Sequence, residues 1–343
     1  MNLNERIKAF KLLKRSIDEI TDINNTKHQI FKQISREAEN RNPWFTRQFI
    51  RYALMSVSGS LHPENIEKWL SEYPDMQKQN TPKNIGVVMA GNIPLVGFFD
   101  MLCVLMSGNK FIGKLSSKDD VLMKFIADML IDSENRFKDF IVFEEGFLKD
   151  PDAIIATGSD NTSRYFEQYF GKYPNIIRKN RNSVAVLDGN ESDEQLRSLA
   201  DDIFLYFGLG CRNVSKLFIP AGYDPECLLK NTDHYKFIKD NNKYANNYDY
   251  NRSVFLVNNI KHTNNGFVLL KESEDLSSPI AVIYFEYYKD KAGLEQKIST
   301  NRDKIQCIVS ETYENSIPFG DSQKPQLWDY ADGIDTMRFL IGI

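Results

Sequence analysis

The stretch IGVVMAGNIPLVGFFDMLCVLMSGNKFIGK, residues 85–114, decides the fold that the sequence predicts. Ile85–Ala90 is a short apolar run ended by glycine, which is typical of a buried strand. Leu95–Met106 predicts an apolar helix, which the following Ser107-Gly108 ends. Lys110–Lys114 predicts a second strand, so the stretch predicts a right-handed crossover between two parallel strands.

The same alternation of strands and helices continues along the chain. Further strands are predicted at Phe140–Phe143, Ala153–Ala156 and Val184–Leu187, and near Leu217, Val254 and Ile280. Further helices are predicted at Val121–Ile131, after Thr157-Gly158-Ser159 as far as Phe170, and at Asp193–Phe207. Asp240–Asn251 is rich in Asn and Tyr and predicts a surface excursion. This alternation favours an α/β protein with a mostly parallel sheet.

The pattern divides the sequence into four predicted segments. Residues 1–82 are predicted to be helical, because apolar residues recur at helical spacing and Pro63 suits a first helical turn. The polar stretch Gln77–Lys83 predicts a linker. Residues 83–195 and 196–313 then form two α/β domains, and residues 314–343 close the fold.

Composition argues against several classes of protein. The 343 residues are 42% hydrophobic with a formal net charge of -4, so a large core is expected and nucleic-acid binding has no electrostatic support. The sequence predicts no secretory signal and no membrane span, since it has no apolar run of the required length. The four cysteines lie far apart, which is typical of free thiols in a reducing cytoplasm.

The stretch Phe207-Gly208-Leu209-Gly210-Cys211-Arg212-Asn213-Val214 places a thiol in a glycine-rich turn between a predicted helix and a predicted strand. Glycine allows backbone angles that other residues resist and leaves room around the sulfur. Because a thiolate is intrinsically very nucleophilic, Cys211 is a candidate for attack on an acyl carbon. The alternative is a buried structural cysteine that packs as a small hydrophobe.

Five motifs follow one another along the chain: Val88-Met89-Ala90-Gly91-Asn92-Ile93-Pro94, Lys114-Leu115-Ser116-Ser117-Lys118-Asp119, Ile177-Arg178-Lys179-Asn180-Arg181, Phe207 to Lys216, and Asp329-Tyr330-Ala331-Asp332-Gly333. Their order and spacing resemble the aldehyde dehydrogenase superfamily, and within it the LuxC-like acyl-CoA reductases. The resemblance implies an aldehyde dehydrogenase-like α/β fold. Its parallel-sheet domain at 83–195 would bind NAD(P), and its α/β domain at 196–313 would carry the nucleophile.

The resemblance also implies catalytic roles for two residues. Cys211 would attack a thioester and become acylated, while the Asn92 side-chain amide and the Cys211 backbone N–H would donate to the oxyanion. From the residues alone, Asn92 also suits a helix cap or the turn before Pro94. Arg212 and backbone N–H groups of the turn would favour the thiolate form of Cys211, since nearby positive charge lowers a thiol pKa.

A nicotinamide cofactor is implied at the second motif. Lys114 lies where the superfamily's lysine contacts the adenosine ribose. Ser117 replaces a glutamate that binds both ribose hydroxyls in many relatives, and Lys118 adds a positive charge. Room and positive charge for a 2′-phosphate favour NADPH over NADH.

Two more regions complete the implied cofactor site. Gly158 and Ser159 begin a helix, and a helix N-terminus suits a pyrophosphate. The glutamate that orients the nicotinamide ribose would be Glu274 or Glu272, between which the sequence gives no unique register. Glu274 is the residue predicted for this role.

The reaction type is inferred from a missing carboxylate. Hydrolytic relatives carry a glutamate that activates water, whereas residues 177–183 here contain none. The resemblance therefore implies NADPH-dependent reduction of an acyl thioester to the aldehyde. The acyl group is predicted to be fatty because Leu95–Met106 and Phe204–Phe207 offer apolar walls, although these residues read equally well as core.

Several alternatives stay open. The chain could instead be an acyl-phosphate reductase, a CoA-acylating aldehyde dehydrogenase, or a non-catalytic subunit of an acyl-transfer complex. The substrate is predicted to be an acyl-CoA or an acyl-carrier thioester, and the resemblance implies acyl-transferring or acyl-activating partner proteins. The long oligomerisation tail of larger relatives looks reduced after Phe339-Leu340-Ile341, which leaves a homo-oligomer open.

Overall fold

The computed structural model describes residues 1–77, 81–158 and 160–343. The chain forms two compact units: unit 1 comprises Met1–Asn180 and Pro325–Ile343, and unit 2 comprises Arg181–Lys324. The chain therefore leaves unit 1 once, builds unit 2 and returns. Among the helices of the described ranges, none has the length and apolar character that crossing a membrane requires.

Four helices open unit 1, as the apolar spacing predicts: α1 Leu3–Thr21, α2 His28–Arg41, α3 Arg47–Ser60 and α4 Pro63–Ser71. A capping box begins α1, in which the Asn2 side chain accepts the N–H of Glu5 and the Glu5 carboxylate accepts the N–H of Asn2. The buried face of α1, which includes Phe10 and Leu13, packs mainly against α3 and against a later helix, Val121–Ser133.

A five-stranded parallel sheet, sheet A, forms the centre of unit 1. Its strands are β1 Asn84–Val88, β2 Lys110–Lys114, β3 Ile141–Phe143, β4 Ala153–Thr157 and β5 Asn175–Arg178, in the order β3-β2-β1-β4-β5. The helices between them are α5 Phe98–Met106, α6 Val121–Ser133 and α7 Asp160–Phe170. The strand order reverses between β1 and β4, and ligands of open α/β sheets bind outside the carboxyl ends of the strands at such a reversal.

Unit 2 is built around a second sheet, sheet B. Its strands are β6 Asn182–Val186, β7 Val214–Pro220, β8 Thr263–Asn264, β9 Leu269–Glu272, β10 Val282–Tyr288 and β11 Ile305–Val309, in the order β11-β6-β7-β10-β9-β8. The neighbouring strands are parallel except for the pair β8 and β9. The helices of unit 2 are α8 Asp193–Phe204, α9 Glu226–Lys230, α10 Asn242–Val257 and α11 Lys291–Thr300. Leu294 and Ile298 of α11 pack with Val184 and Phe218 in a buried cluster.

Two sequence predictions within unit 2 are wrong. Asp240–Asn251 is not a surface excursion and Val254 is not in a strand, because α10 spans most of this region. The Asn241 side chain caps the helix, and Tyr244 is one of its buried residues. Buried positions 244, 248, 251 and 255 recur at helical spacing. The low helix propensity of asparagine obscures this signal.

Residues 325–343 return to unit 1 and end in helix α12, Thr336–Ile341. The Tyr330 hydroxyl accepts a hydrogen bond from Trp69 Nε1 at 2.6 Å and lies 2.7 Å from the Tyr73 hydroxyl. The Asn109 side chain donates to the Leu340 carbonyl at 3.3 Å. Buried polar contacts across more than 200 positions of sequence therefore close this unit.

Candidate functional site

A strained turn carries the candidate nucleophile of unit 2. Helix α8 ends at Phe204 rather than at the predicted Phe207, because Tyr206 and Phe207 have left-handed backbone angles, with φ of 55° and 59°. Gly208 continues the run with φ of 73°. Left-handed backbone costs a residue other than glycine about 1–2 kcal/mol. Surrounding contacts must therefore hold the segment that leads to Cys211, which is half-buried and forms no disulfide.

Asn213, two residues after Cys211, is buried and joins the turn to the end of α8. Its Oδ1 accepts the N–H of Gly210 at 2.8 Å, and its own N–H donates to the Gly210 carbonyl at 3.0 Å. Its amide nitrogen donates at 2.9 to 3.4 Å to three backbone carbonyls at the end of α8, those of Asp202, Ile203 and Leu205. One side chain thus satisfies helix-end carbonyls and fixes the residue before the nucleophile.

A buried carboxylate and Arg212 connect the same region to residues 320–322. Asp202 in α8 accepts the N–H groups of Gly320 and Ser322 at 2.6 and 2.9 Å. Burial raises the pKa of Asp202 to about 6, against the opposing effect of these hydrogen bonds. Arg212 Nε donates to the Ser322 carbonyl at 2.7 Å, so the cation next to Cys211 is anchored to backbone.

Ser183, at the start of β6, links the Cys211 backbone to a second thiol. The Ser183 hydroxyl donates to the Cys211 carbonyl at 3.0 Å and lies 2.9 Å from Sγ of Cys307 on β11. Ser183 is fully buried. The Cys211 turn is therefore held from α8, from β6 and from the 320–322 loop.

A cavity of about 60 Å³ adjoins this turn within unit 2. Gly208, Gly210 and Asn213 contribute to its wall, together with Phe207 and Tyr244. The Phe207 and Tyr244 rings lie 5.8 Å apart. The Tyr244 hydroxyl is buried without a hydrogen-bond partner among the described residues, and burial raises its pKa. A cavity lined in part by aromatic rings thus lies beside Gly210, the residue that precedes Cys211.

In unit 1 the loop after β1 carries Asn92, which is half-buried. One end of this loop is bonded to the last residue of β2 and the other to the segment after β2. Met89 N–H donates to the Lys114 carbonyl at 3.1 Å, and Leu95 N–H donates to Asp119 Oδ2 at 2.8 Å. The structure therefore brings the predicted oxyanion donor next to the predicted cofactor motif.

The predicted cofactor residues of the second motif lie at the carboxyl end of β2 and just beyond it. Lys114 is the last residue of that strand, and its ammonium donates to the Gly146 carbonyl at 2.9 Å. Ser117 and Lys118 are both exposed. A hydroxyl and a cation are thus presented at the edge of sheet A where a ligand is expected.

Gly158 follows β4 on the other side of the strand-order reversal. A Cβ at Gly158 would come within 2.9 Å of Phe166 and 3.0 Å of Thr162, so the approach of α7 requires glycine here. The predicted Ser159 lies outside the described residues. The position of Gly158 fits the sequence prediction of a helix N-terminus, since α7 begins at Asp160.

The segment that lacks the hydrolytic glutamate contains a buried cation. Arg178, the last residue of β5, donates to Asp100 Oδ2 at 2.7 Å and to Thr336 Oγ1 at 2.9 Å. Burial alone would lower the pKa of Arg178, but the Asp100 carboxylate holds it above its usual range. This side chain is a structural partner rather than a base.

Glu274 is exposed and lines a cavity of about 470 Å³ in unit 2, which the residues of the Cys211 turn do not line. The buried Lys216 pairs with the half-buried Glu286 in its wall, and Lys297 pairs with the same carboxylate. Lys216 also donates to the Ser273 carbonyl at 2.9 Å, and burial lowers its pKa. The alternative residue, Glu272, ends β9 and is exposed as well.

The sequence pattern singles out Cys211 as the candidate nucleophile but not the side chains that hold its turn. Asn213 lies within the stretch that contains the cysteine. Asparagine side chains commonly form hydrogen bonds with nearby backbone groups, as Asn213 does here. Asp202 and Ser183 gave no local signal, because their partners lie at distant sequence positions. Asp119, at the end of the second motif, likewise has no sequence signal of its own.

Solved structures with the same fold are aldehyde dehydrogenases. The NAD-dependent benzaldehyde dehydrogenase of Corynebacterium glutamicum aligns over 92% of this chain and 77% of its own, with 14% identity and a TM-score of 0.67. An aldehyde dehydrogenase of Mycobacterium tuberculosis complexed with NAD+ aligns over 94% and 75%, with 12% identity and a TM-score of 0.64. The NAD+ complex of a Bacillus cereus aldehyde dehydrogenase aligns over 92% and 73%, with 13% identity and a TM-score of 0.63. A search of curated proteins gave no match.

The two α/β units, one with a doubly wound parallel sheet and one with a cysteine turn, therefore define an aldehyde dehydrogenase fold, as the sequence predicts. The model of the acyl-CoA reductase (LuxC) family matches residues 3–225, more than half of the chain. The chain belongs to the LuxC acyl-CoA reductase family, which confirms the resemblance found in the motifs. It is accordingly an oxidoreductase that acts at the aldehyde level.

Proposed function

We propose that this protein reduces an acyl thioester, in the first instance a fatty acyl-CoA, to the aldehyde with NADPH, through an acyl group carried on Cys211. The observation that carries the proposal is the Cys211 turn, where a half-buried thiol follows strained backbone that Asn213 and Ser183 hold in place. Strained backbone is concentrated at functional sites. Family membership supports the reaction class, and the turn supports the choice of nucleophile.

The step assigned to Cys211 is acyl transfer. Its thiolate attacks the thioester carbonyl carbon, the bond from that carbon to the leaving sulfur breaks, and the leaving group departs as a thiolate. The Cys211 backbone N–H and, by family resemblance, the Asn92 amide are proposed to donate to the oxyanion. A donor of this kind contributes about 2.7–4 kcal/mol to transition-state stabilisation. When bound, reduced nicotinamide supplies the hydride that converts the acyl group to the aldehyde.

The surroundings of Arg178 support reduction rather than hydrolysis. An enzyme that hydrolysed its acyl intermediate would need a base to activate water. In the segment where hydrolytic relatives carry that base, the buried side chain is a guanidinium already paired with Asp100. An acylated Cys211 would thus persist until it is reduced.

The chemistry of the second motif fits a phosphorylated nicotinamide cofactor. Lys114 and Lys118 bring two cations to the edge of sheet A, and the exposed Ser117 leaves space where a carboxylate would repel a 2′-phosphate. Gly158 starts the segment that leads into α7, where backbone N–H groups suit a pyrophosphate. Glu274, on unit 2, keeps its proposed role towards the nicotinamide ribose.

Changing the charge of the second motif is expected to change cofactor preference. A Ser117→Glu substitution combined with Lys118→Ala should lower the ratio of kcat/KM for NADPH to that for NADH by about 10- to 100-fold, because charged hydrogen bonds of about 1.5–3 kcal/mol are exchanged. Steady-state kinetics with both cofactors measure the ratio. Lys124→Ala, an exposed lysine in the first turn of α6, is the matched control and should leave the ratio unchanged. An unchanged ratio in the double variant would remove the second motif from the cofactor site.

The proposed function is tested by following NADPH oxidation with the purified protein and acyl-CoA substrates from two to sixteen carbons. Turnover that yields one aldehyde per NADPH supports the proposal, and the dependence on chain length tests the fatty substrate. Turnover with acyl phosphates alone would favour the acyl-phosphate reductase. Faster CoA-dependent aldehyde oxidation would favour the acylating dehydrogenase.

The assay could also show no turnover because a partner protein is missing. We propose that acyl-transferring or acyl-activating proteins supply the acyl group, so the assay is repeated with acyl-carrier thioesters. If NADPH binding is also absent in a fluorescence titration, the non-catalytic subunit becomes the better reading. Binding without turnover on any donor would instead contradict the acyl-thioester substrate.

A further inference from the structure

We propose that Asp119 is a positioning residue that couples the loop carrying Asn92 to the segment carrying Lys114, Ser117 and Lys118. This inference rests on the proposed function, because it concerns how the oxyanion donor and the cofactor motif are held relative to each other. The described contacts that carry it lie within unit 1.

The two segments are bonded at both of their ends. Met89 N–H donates to the Lys114 carbonyl at 3.1 Å, and Leu95 N–H donates to the Asp119 carboxylate at 2.8 Å. Asn92 lies three residues from each bonded end of its loop. Both ends of the loop are therefore hydrogen-bonded to residues 114–119. Of these two hydrogen bonds, only the one to Asp119 uses a side chain.

Asp119 is the acceptor that compensates for strain in the loop. Leu95 has a φ of 59°, in the left-handed region, although it is a bulky residue and only 3% exposed. Such a conformation persists only when surrounding contacts impose it. The Leu95 N–H bond to Asp119, which is also 3% exposed, is a buried contact of this kind.

A close backbone approach adds to the coupling. A Cβ on Gly91 would come within 2.5 Å of Ser116 Oγ and 3.1 Å of Cβ of Lys118, so the two segments touch where glycine alone fits. Asp119 N–H also donates to the Ser116 carbonyl at 3.0 Å, which shapes the turn that presents Ser117. A displacement of the cofactor segment would therefore displace the Asn92 loop.

The charge of Asp119 depends on pH near neutrality. Burial raises its pKa to about 7, against the Leu95 hydrogen bond, and the neighbouring Asp120 carboxylate adds to the increase. The charged group that acts on it is Asp120, which Arg41 pairs at 3.3 Å, while the preceding residue in sequence, Lys118, has an exposed side chain. Asp119 Oδ1 has no hydrogen-bond partner among the described residues.

The ionisation of Asp119 should also affect the stability of the folded protein, which can be measured independently of activity. A folded pKa near 7 lies above the value of about 3.9 expected in the unfolded chain. The folded state then binds more protons between these values, so the contribution of Asp119 to stability is present in acid and is lost as pH rises from about 4 to 7. The Tm of the Asp119→Asn variant relative to wild type should therefore increase between pH 5 and pH 8.

Two substitutions separate positioning from charge. Asp119→Ala removes the acceptor, and we expect kcat to fall about 30-fold while the KM for NADPH changes less than about 3-fold, since small misplacements of catalytic groups cost up to about 10²-fold. Asp119→Asn keeps an acceptor for Leu95, so kcat should stay within about 3-fold of wild type. Asp128→Asn, an exposed carboxylate on α6, is the matched control and should behave as wild type.

Hydrogen exchange distinguishes failure of this inference from failure of the proposed function. Exchange of the Leu95 amide should be slow in wild type and in Asp119→Asn and at least about 10-fold faster in Asp119→Ala, whether or not the protein reduces a thioester. An Asp119→Ala variant that folds, retains wild-type kcat and protects Leu95 would overturn the proposal. If that variant does not fold, a Tm difference between Asp119→Asn and wild type that stays the same from pH 5 to pH 8 would overturn the pH-dependent part. Unprotected Leu95 in wild type would overturn the coupling.

Discussion

Replacing Cys211 by alanine is expected to lower kcat for thioester reduction by about 10⁴-fold or more, because removing the nucleophile of an acyl-transfer enzyme has effects of this size. The loss should be confined to chemistry. Cys211 is half-buried at the edge of a turn whose main contacts come from Asn213, Ser183 and Arg212, so its side chain contributes little to stability. The Tm and the affinity for NADPH are therefore expected to stay close to wild type.

The measurement combines steady-state rates with mass spectrometry of the protein after mixing with acyl-CoA and no cofactor. Wild type should gain the mass of the acyl group, and Cys211→Ala should not. Cys227→Ala is the matched control, since that thiol is also half-buried but lies on α9. Substantial turnover by the Cys211→Ala variant would refute Cys211 as the nucleophile. So would an acyl group found on Cys227 or Cys307, rather than on Cys211, in the wild-type protein.

Replacing Asn213 by alanine is expected to destabilise the folded protein by about 3–5 kcal/mol and to disorder the nucleophile's turn. The substitution removes the partner of three helix-end carbonyls and of the Gly210 N–H. A buried polar group left without a partner costs about 1–3 kcal/mol, and water can replace part of the loss. The strained angles at Tyr206 and Phe207 would lose the contacts that impose them.

Urea unfolding gives the change in stability, and the rate of Cys211 alkylation by iodoacetamide reports on the turn. Asn213→Asp is informative because it keeps an acceptor for Gly210 but turns an oxygen towards the α8 carbonyls, so it should be at least as damaging as alanine. Asn190→Ala, at an exposed position, is the control and should change stability by less than about 0.5 kcal/mol. A loss below about 1 kcal/mol for Asn213→Ala with unchanged alkylation would contradict this role.

The sequence was informative where the physical signal is local. Residues 85–114 are an example, because the signals there come from residues that are neighbours in sequence. They are the apolar run at Ile85, the helix stop at Ser107-Gly108 and the strand Lys110–Lys114, and the structure has two strands and a helix there. The glycine-rich turn before β7 was found for the same reason. The end of α8 at Phe204 was missed, because two aromatic residues in left-handed conformation leave no pattern in the sequence.

The remaining features depend on partners far away in the chain. The burial of Asp119 and Asp202 and the pairing of Arg178 with Asp100 arise only when the fold brings distant segments together. Helix α10 was missed for a different reason, since its buried face is made of tyrosine and asparagine rather than aliphatic residues. For residue types that occur both at the surface and in the core, tertiary packing rather than sequence decides whether they are buried.

The discontinuous path of unit 1 has a consequence for how the protein is made. Trp69, Tyr73 and Arg178 emerge from the ribosome well before Tyr330 and Thr336, with which they form buried or partly buried hydrogen bonds. At about 5–20 residues per second, synthesis of the intervening unit 2 takes roughly 7–30 s. Unit 2 is continuous in sequence and can complete its folding first. Until residues 325–343 are synthesised, the nascent first unit lacks these hydrogen-bond partners.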